Sequence, residues 1–273
     1  MQLYSAKMQE RTMASRVRQD RLLELVRING FASLHNLANL LKVSESTVRR
    51  DLGFLEKEGS VKRTHGGVFY TGPAPNLGHF NQRQQREHDR KVAIAELTAS
   101  LINDGDTLLL DGGSTTYELA QRLVGRPMQI VTNSLPVATA FTSSEETDVV
   151  LIGGYVHARS GVAIGPYSVS MIQQLNVQRA VISVAGITDR GIYNSNLLLV
   201  ETEKAMMQAA DEVTVVANST KFNKSSLALL CELSMIDSIV VDDELDAEWI
   251  NTLRLAGIDV QIAAIRTQIE PTS

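Results

Sequence analysis

Two stretches of this 273-residue chain carry side chains whose types and spacing could do chemistry. The first runs Ser44-Glu45-Ser46-Thr47-Val48-Arg49-Arg50. With Val48, Leu52 and Leu55 committed to a core at helical spacing, Ser46, Thr47, Arg49 and Arg50 face outward. Arginine can fork onto guanine O6 and N7, and hydroxyls reach phosphates or base edges, so this surface suits double-stranded DNA. The second is Asp111-Gly112-Gly113-Ser114-Thr115-Thr116, with Thr132-Asn133-Ser134 and Gly153-Gly154 further on, each placed after an apolar run. A glycine-rich turn feeding a helix N-terminus presents N–H groups and hydroxyls to a phosphate dianion. No Gly-Lys-Ser/Thr follows, which disfavours a nucleoside triphosphate.

The arginines sit within a readable run of helices. Leu22, Leu25, Val26 and Ile28 recur at helical spacing between Arg16 and Asn29, with Gly30 placed as a C-cap. Ser33 is an N-cap for a second helix carrying Leu34, Leu37, Ala38 and Leu41 on one stripe. Only Lys42 and Val43 then precede Ser44, the N-cap of a third helix that stops at Gly59. So brief a turn forces a steep crossing, the helix-turn-helix geometry that sets its second helix in the major groove. Val61-Lys62-Arg63 and Val68-Phe69-Tyr70 read as two strands around Thr64-His65-Gly66-Gly67, a wing from which Lys62, Arg63 and His65 could touch the backbone or minor groove.

Residues 71–80, TGPAPNLGHF, have the composition of a linker, so the expected domains are a winged helix-turn-helix at 16–70 and an α/β effector-sensing and oligomerisation domain at 81–273. In the latter, helices are expected near 84–102, 115–124, 135–143, 199–210 and 246–256. Strands are expected at 107–110, 129–132, 148–152, and near 179–184, 212–217, 238–241 and 259–264. Continuous apolar strands alternating with helices imply a mostly parallel sheet covered on both faces. Ligands of such sheets bind beyond the carboxyl ends of the strands, where the three polar or glycine-rich loops fall.

Charge agrees with a division of labour. Residues 1–91 hold 16 Lys+Arg against 9 Asp+Glu, a net of +7, and the remainder holds 10 against 22, a net of −12. A basic head on an acidic body fits a nucleic-acid-binding module fused to a sensor. The single Cys231 excludes an intramolecular disulfide and a cysteine-rich zinc site and reads as a packed thiol in a reducing compartment. No apolar run reaches membrane-span length, and Lys7, Arg11, Arg16 and Arg18 leave residues 1–20 without a signal-peptide core. A soluble, cytoplasmic protein is expected, without cofactor, metal, catalytic residue or membrane partner.

VSESTVRRDLGFLEKEGSVKRTHGGV, residues 43–68, resembles the DNA-binding signature of the DeoR family of bacterial regulators. The later order DGGSTT, TNSL, LIGG, AGI and Lys221-Phe222 resembles the DeoR-type sensor domain over residues 90–245, a domain that shares its fold with ribose-5-phosphate isomerase. The resemblance implies operator binding, usually repression, of sugar or nucleoside catabolic genes under a phosphorylated sugar effector. It implies that Asp111, Gly113, Ser114, Thr115, Thr116, Asn133, Ser134, Gly153, Gly154 and Lys221 line the effector site, with Lys221 a counter-charge for phosphate. The chain departs from the family pattern in two places. It reads Asn218-Ser219-Thr220-Lys221-Phe222 where many members have Asp-x-Ser-Lys-Phe, and Leu199 and Glu203 stand where members carry Glu then Lys.

Helix-turn-helix heads usually read two half-sites, so a homo-oligomer is expected. Two alternative functions remain compatible with the sequence. A sugar-phosphate isomerase would need a carboxylate base, for which Asp111, Glu201 and Glu203 are available. A constitutive DNA-binding scaffold would bind no sugar phosphate at all.

Overall fold

The computed structural model describes residues 15–26, 31–63, 67–70, 80–157 and 160–265, and the chain divides into two compact units, Met1–Leu77 and Gly78–Ser273. In the first unit, α1 (residues 15–26), β1 (Phe31–Ala32), α2 (Leu34–Leu41), α3 (Glu45–Lys57), β2 (Val61–Arg63) and β3 (Val68–Tyr70) form a winged helix-turn-helix. Ser33 Oγ accepts the Asn36 N–H at 3.2 Å, and Ser44 Oγ accepts the Thr47 N–H at 3.3 Å, so both expected N-caps form. Lys42 ends α2 in the left-handed region at φ 53, which turns the chain within the two residues available. The wing gains a strand that the sequence did not announce: β1 pairs antiparallel with β3, which pairs with β2. Ile28, Gly30, Thr64, His65, Gly66 and the expected linker up to residue 79 lie outside the described residues.

Leu22, Val26, Leu37, Ala38, Val48, Leu52, Leu55, Val61 and Val68 make the core of this unit. Beside it Asp51, 2% exposed, takes the guanidinium of Arg18 in a fork, Nε to Oδ2 at 2.5 Å and Nη2 to Oδ1 at 3.2 Å. Asp51 therefore ties α1 to α3. Gln19 Nε2 also donates to Asp51 Oδ1 at 3.2 Å. Arg18→Ala leaves that carboxylate buried with only the amide for company. Since Gln19 remains, the expected loss is about 2 kcal/mol rather than the roughly 3–5 kcal/mol of a fully abandoned buried charge. Urea unfolding of the wild type and the variant checks it.

The second unit opens with α4 (Phe80–Gln85) and α5 (His88–Ser100). The single helix expected near 84–102 is thus two, broken at Glu87, whose φ of 51 no α-helix accommodates. There follow β4 (Thr107–Leu110), α6 (Ser114–Leu123), β5 (Met128–Thr132), α7 (Leu135–Ala140), β6 (Thr147–Leu151), β7 (Tyr155–His157) and β8 (Val162–Ile164). Then come α8 (Pro166–Ile172), β9 (Val177–Ser183), β10 (Gly186–Thr188), β11 (Gly191–Asn194), α9 (Leu197–Gln208), β12 (Ala210–Val216), β13 (Ala228–Cys231), β14 (Ser238–Asp242), α10 (Ala247–Leu255) and β15 (Asp259–Ala263). Seven strands form a parallel sheet in the order β15-β14-β12-β9-β4-β5-β6.

Both faces of that sheet are buried, and successive residues alternate between them. Leu108, Leu110, Val181, Val216 and Val240 pack with Ile94, Leu119 and Phe141 on one side, whereas Leu109, Ile182, Val215, Ile239 and Val241 pack with Met206 and Leu253 on the other. Two smaller antiparallel sheets were not foreseen: the hairpin β7-β8, and β10-β11-β13. Cys231 is buried as expected, and burial pushes its thiol up to about 11. Among the described residues no helix is long and apolar enough to cross a membrane.

Candidate functional site

On α3 the structure leaves Ser46, Arg49 and Arg50 exposed and Thr47 half-buried, opposite Val48, Leu52 and Leu55. Ser44 Oγ lies 2.8 Å from Ser46 Oγ and 2.9 Å from Thr47 Oγ1, a hydroxyl cluster at the helix N-terminus where the backbone dipole is positive. Arg49 reaches back to Glu45 at 3.7 Å. Arg50 has no acidic partner among the described residues. Lys62 is exposed on β2, while Arg63 is engaged by Glu56, Nε to Oε2 at 2.6 Å and backbone N–H to Oε1 at 2.9 Å. These bonds hold the Glu56 carboxyl below its usual range, through the Arg63 backbone first and its guanidinium second. His65 lies outside the described residues.

In the body, β6, β5, β4 and β9 are consecutive in the sheet, so the loops after β4, β5 and β6 share one edge. The Asp111 side chain organises that edge. Its Oδ1 accepts the Gly113 N–H at 3.1 Å and the Thr116 hydroxyl at 2.6 Å, and its Oδ2 accepts the Ser183 N–H at 2.9 Å and hydroxyl at 2.8 Å. Burial raises its pKa, against the pull of those four donors. Asp111 and Thr116 are thereby occupied in building the loop.

Gly112 and Gly113 owe their identity to close packing. A Cβ on Gly112 would lie 1.9 Å from Val162 Cγ1, and one on Gly113 would lie 1.7 Å from Ser183 Oγ. Gly113 itself has an ordinary φ of −77, caps α6 without a side chain, and leaves the first-turn N–H groups of Ser114, Thr115 and Thr116 to another acceptor.

The β7-β8 hairpin covers the next loop. Asn133 pairs with Ala163 like a strand residue, accepting its N–H at 2.7 Å on the backbone and donating Nδ2 to its carbonyl at 2.8 Å. Ser134 is fully buried and caps α7 through the Val137 N–H at 3.3 Å. Gly153 and Gly154 are exposed, and Ser168 Oγ donates to the Gly153 carbonyl at 2.8 Å. Lys221 sits in the 3-10 turn Ser219–Lys221, held by the Ser219 N–H to Asp242 Oδ2 at 2.7 Å and by Arg90 Nη1 to Ser219 Oγ at 2.5 Å. A separate groove of about 380 Å³ between α7 and β6, lined by Leu135, Phe141 and Val149 among others, shares none of these loop residues.

Sequence reasoning named Lys221 and missed two further cations beside it, Arg83 and Lys91. Arg83, on α4, is steadied by Phe80, whose ring lies 5.8 Å from the guanidinium carbon and packs edge-on to Tyr117 at 5.2 Å. Its Nη2 is buried without a hydrogen-bond partner among the described residues. Burial lowers the Arg83 pKa, opposed by the nearby Asp111 carboxylate. Lys91 donates to the carbonyls of Arg83 and Arg86, so it fixes the break between α4 and α5. Burial first, then the charges of Lys221 and Arg83, push it down to about 8. Lys221 is lowered by burial and then by Arg83 and Lys224. Burial lowers all three cations, the charge of Arg83 lowers both lysines, and Lys221 lowers Lys91, so positive charge is concentrated here.

The far side of Asp111 is acidic. Glu203, where the chain departs from the family pattern, is 1% exposed on α9, and Asn194 Nδ2 donates to its Oε1 at 2.7 Å. Among the described residues its Oε2 has no partner, nor has the buried Asn133 Oδ1. Burial and the neighbouring Asp111 raise the Glu203 pKa well above the ordinary carboxyl range. Glu201 and Lys204, its neighbours on the helix, are exposed.

Residues 18–72 match the family model of the DeoR-like helix-turn-helix domain, and residues 86–243 match that of the DeoR C terminal sensor domain. The chain belongs to the DeoR family. As a DeoR-family protein it is a DNA-binding transcriptional regulator, and its similar relatives carry that description as well. It is 27% identical over 249 residues to the HTH-type transcriptional regulator UlaR of Shigella dysenteriae serotype 1, covering 91% of this chain and 99% of that protein. With the UlaR of Escherichia coli strain K12 / DH10B the identity is 26% over the same shares.

Among solved structures, this DeoR-family chain is similar to ribose 5-phosphate isomerase a from Methanocaldococcus jannaschii, at a TM-score of 0.37 and 16% identity, over 50% of this chain and 54% of that one. It is also similar to eIF2B beta from Chaetomium thermophilum, at a TM-score of 0.39 and 9% identity, over 56% and 48%. The chain spans about half the length of these solved proteins.

Proposed function

We propose that this regulator is a repressor whose body binds a phosphorylated sugar and whose head then changes its hold on operator DNA. The observation that carries the reading is the unpartnered Arg83 Nη2, set with Lys91 and Lys221 near the Asp111 loop and its uncapped α6 N-terminus. A phosphate dianion supplies the missing acceptors and the missing negative charge. In this reading the N–H groups of Ser114, Thr115 and Thr116, the guanidinium of Arg83 and the ammonium of Lys221 take the phosphate. Gly113, Asp111 and Thr116 shape the loop, and Asn133, Ser134, Gly153 and Gly154 border the sugar. On the head, Ser46, Thr47, Arg49 and Arg50 read bases or phosphates, with Ser44, Lys62, Arg63 and His65 on the backbone.

The test is a panel of triose, pentose and hexose phosphates, each beside its unphosphorylated sugar, scored on the full chain by melting temperature and then by operator gel shift. A true effector at 100 times its dissociation constant stabilises the native state by about 2.7 kcal/mol. The free sugar gives no comparable shift. Coupling requires the operator dissociation constant to change with that same compound. A panel without a single melting shift leaves the scaffold reading standing, and turnover of any member returns the isomerase. We further propose that the functional unit is a homo-oligomer, since one head covers a single half-site. Sedimentation velocity at micromolar concentration is expected to show no monomer, and a monomeric boundary contradicts it.

A further inference from the structure

Resting on the effector site just proposed, a second feature concerns the end of the ligand away from its phosphate. Two side-chain oxygens there are buried and unanswered among the described residues, Glu203 Oε2 and Asn133 Oδ1, in side chains each 1% exposed. Unpaired buried polar atoms of this kind are uncommon in folded proteins and call for a bound partner. Both are joined to the Asp111 edge. Glu203 holds Asn194, whose Nδ2 also lies 3.5 Å from the Ser183 carbonyl, and Ser183 donates to Asp111. Asn133 follows β5 on the other side of β4. Two strand spacings of roughly 4.8 Å separate the ends of β9 and β5, a span that a small sugar phosphate bridges.

The chemistry required of the ligand follows from what these atoms lack. A ligand hydroxyl answers both, since it donates to Asn133 Oδ1 and either accepts the Glu203 carboxyl proton or donates to its carboxylate. The same corner holds a second buried carboxyl, Asp111, close enough for each charge to act on Glu203, and the cations that attract phosphate act around Arg83. A carboxylate on the ligand would be a third acid in a desolvated corner beside Glu203 and Asp111, and would bring no donor to Asn133 Oδ1. We propose that Glu203 is the specificity-determining residue of the effector site, admitting phosphorylated sugars whose remote end is a neutral polyol and rejecting phosphorylated sugar acids.

Matched pairs separate the two classes at constant size: glyceraldehyde 3-phosphate and 3-phosphoglycerate, ribose 5-phosphate and 5-phosphoribonate, glucose 6-phosphate and 6-phosphogluconate. Each is titrated into the full chain by thermal shift and by calorimetry, with wild type and with Glu203→Gln. In any pair that binds, wild type is expected to prefer the neutral sugar by at least about ten-fold, the discrimination one mispaired buried group typically gives. Glutamine keeps an oxygen for Asn194, removes the acid and offers an amide N–H. Its preference is expected to fall toward parity through tighter binding of the sugar acid. Circular dichroism of the unliganded variant confirms that it is folded. Equal or tighter binding of the sugar acid by wild type overturns the assignment, as does an unchanged ratio in Glu203→Gln, and neither touches the sensor reading. Silence from every phosphorylated compound overturns both.

Discussion

Arg83→Ala is expected to weaken the effector by about thirty-fold, since a hydrogen bond to a charged partner contributes on the order of 2 kcal/mol. The unliganded variant is expected to melt no lower than wild type. These opposite outcomes come from one cause. In the unliganded protein the guanidinium is desolvated and its Nη2 is unanswered, so its removal relieves a cost. With a phosphate in place the same group becomes one of the strongest contacts available, and Arg83→Lys, which keeps charge but loses the fork, is expected to recover only part of the affinity.

The pH profile gives a second signature. Lys91 titrates at about 8 instead of its ordinary 10.5, and Lys221 is also lowered. A lysine lowered on folding penalises the native state fully below its folded pKa, and the penalty fades as pH rises toward the unfolded value. An anion reverses this by drawing the protons back. Affinity is therefore expected to fall as pH climbs above about 8 with proton uptake on binding, and to fall again below about 6 as the phosphate loses its second charge. Calorimetry in buffers of different ionisation enthalpy reads the uptake directly. An Arg83→Ala variant with wild-type affinity and a flat profile removes the cation cluster from the site.

How far the sequence revealed this site depended on what each element reports about itself. The parallel sheet was readable because Leu108-Leu109-Leu110, Val213 to Val216 and Ile239-Val240-Val241 are buried on both faces, which leaves a continuous apolar run. The caps at Ser33 and Ser44 were readable because the bond that makes a cap is local. The hairpin β7-β8 and the sheet β10-β11-β13, built of three- and four-residue strands, were not foreseen.

Functional chemistry was harder to see for a related reason. Arg83 lies in the polar run Asn81-Gln82-Arg83-Gln84-Gln85, where nothing local distinguishes a guanidinium that becomes buried from one that stays in water. Asp51 has the same defect: it follows two outward arginines, and nothing local announces that it is buried against Arg18, 33 residues earlier. Gly112 and Gly113 were singled out for a reason other than the packing that the structure shows. Backbone access suggested them, and the side chains of Val162 and Ser183 require them. That requirement is long-range, and no window of neighbouring residues contains it.

An Arg49→Ala, Arg50→Ala double variant is expected to lose about 3 kcal/mol of operator affinity, somewhat over a hundred-fold, with each base-reading arginine contributing roughly 1–3 kcal/mol. The structure ranks the two. Arg50 is exposed without an acidic partner among the described residues, whereas Arg49 leans on Glu45 at 3.7 Å. An exposed pair of that kind is worth little, so Arg49 can leave it for DNA at small cost. Arg50→Ala alone is therefore expected to account for the larger share and to relax the preference at one base pair. Arg63, with both its backbone N–H and its guanidinium on Glu56, must break a better interaction to reach the duplex. Arg63→Ala is expected to cost less than Arg50→Ala.

Salt separates a base contact from a phosphate contact. Each phosphate neutralised adds about 0.9 to the slope of log affinity against log salt, and a base contact adds nothing. Lys62→Ala is expected to flatten the slope by about one phosphate and to weaken specific and random DNA alike. Arg50→Ala is expected to leave the slope nearly unchanged while narrowing the gap between operator and random sequence. Full operator affinity in the double variant at fixed salt would remove α3 as the reading element, because its remaining outward groups, Ser46 and Thr47, hydrogen-bond Ser44 and could not supply that energy alone.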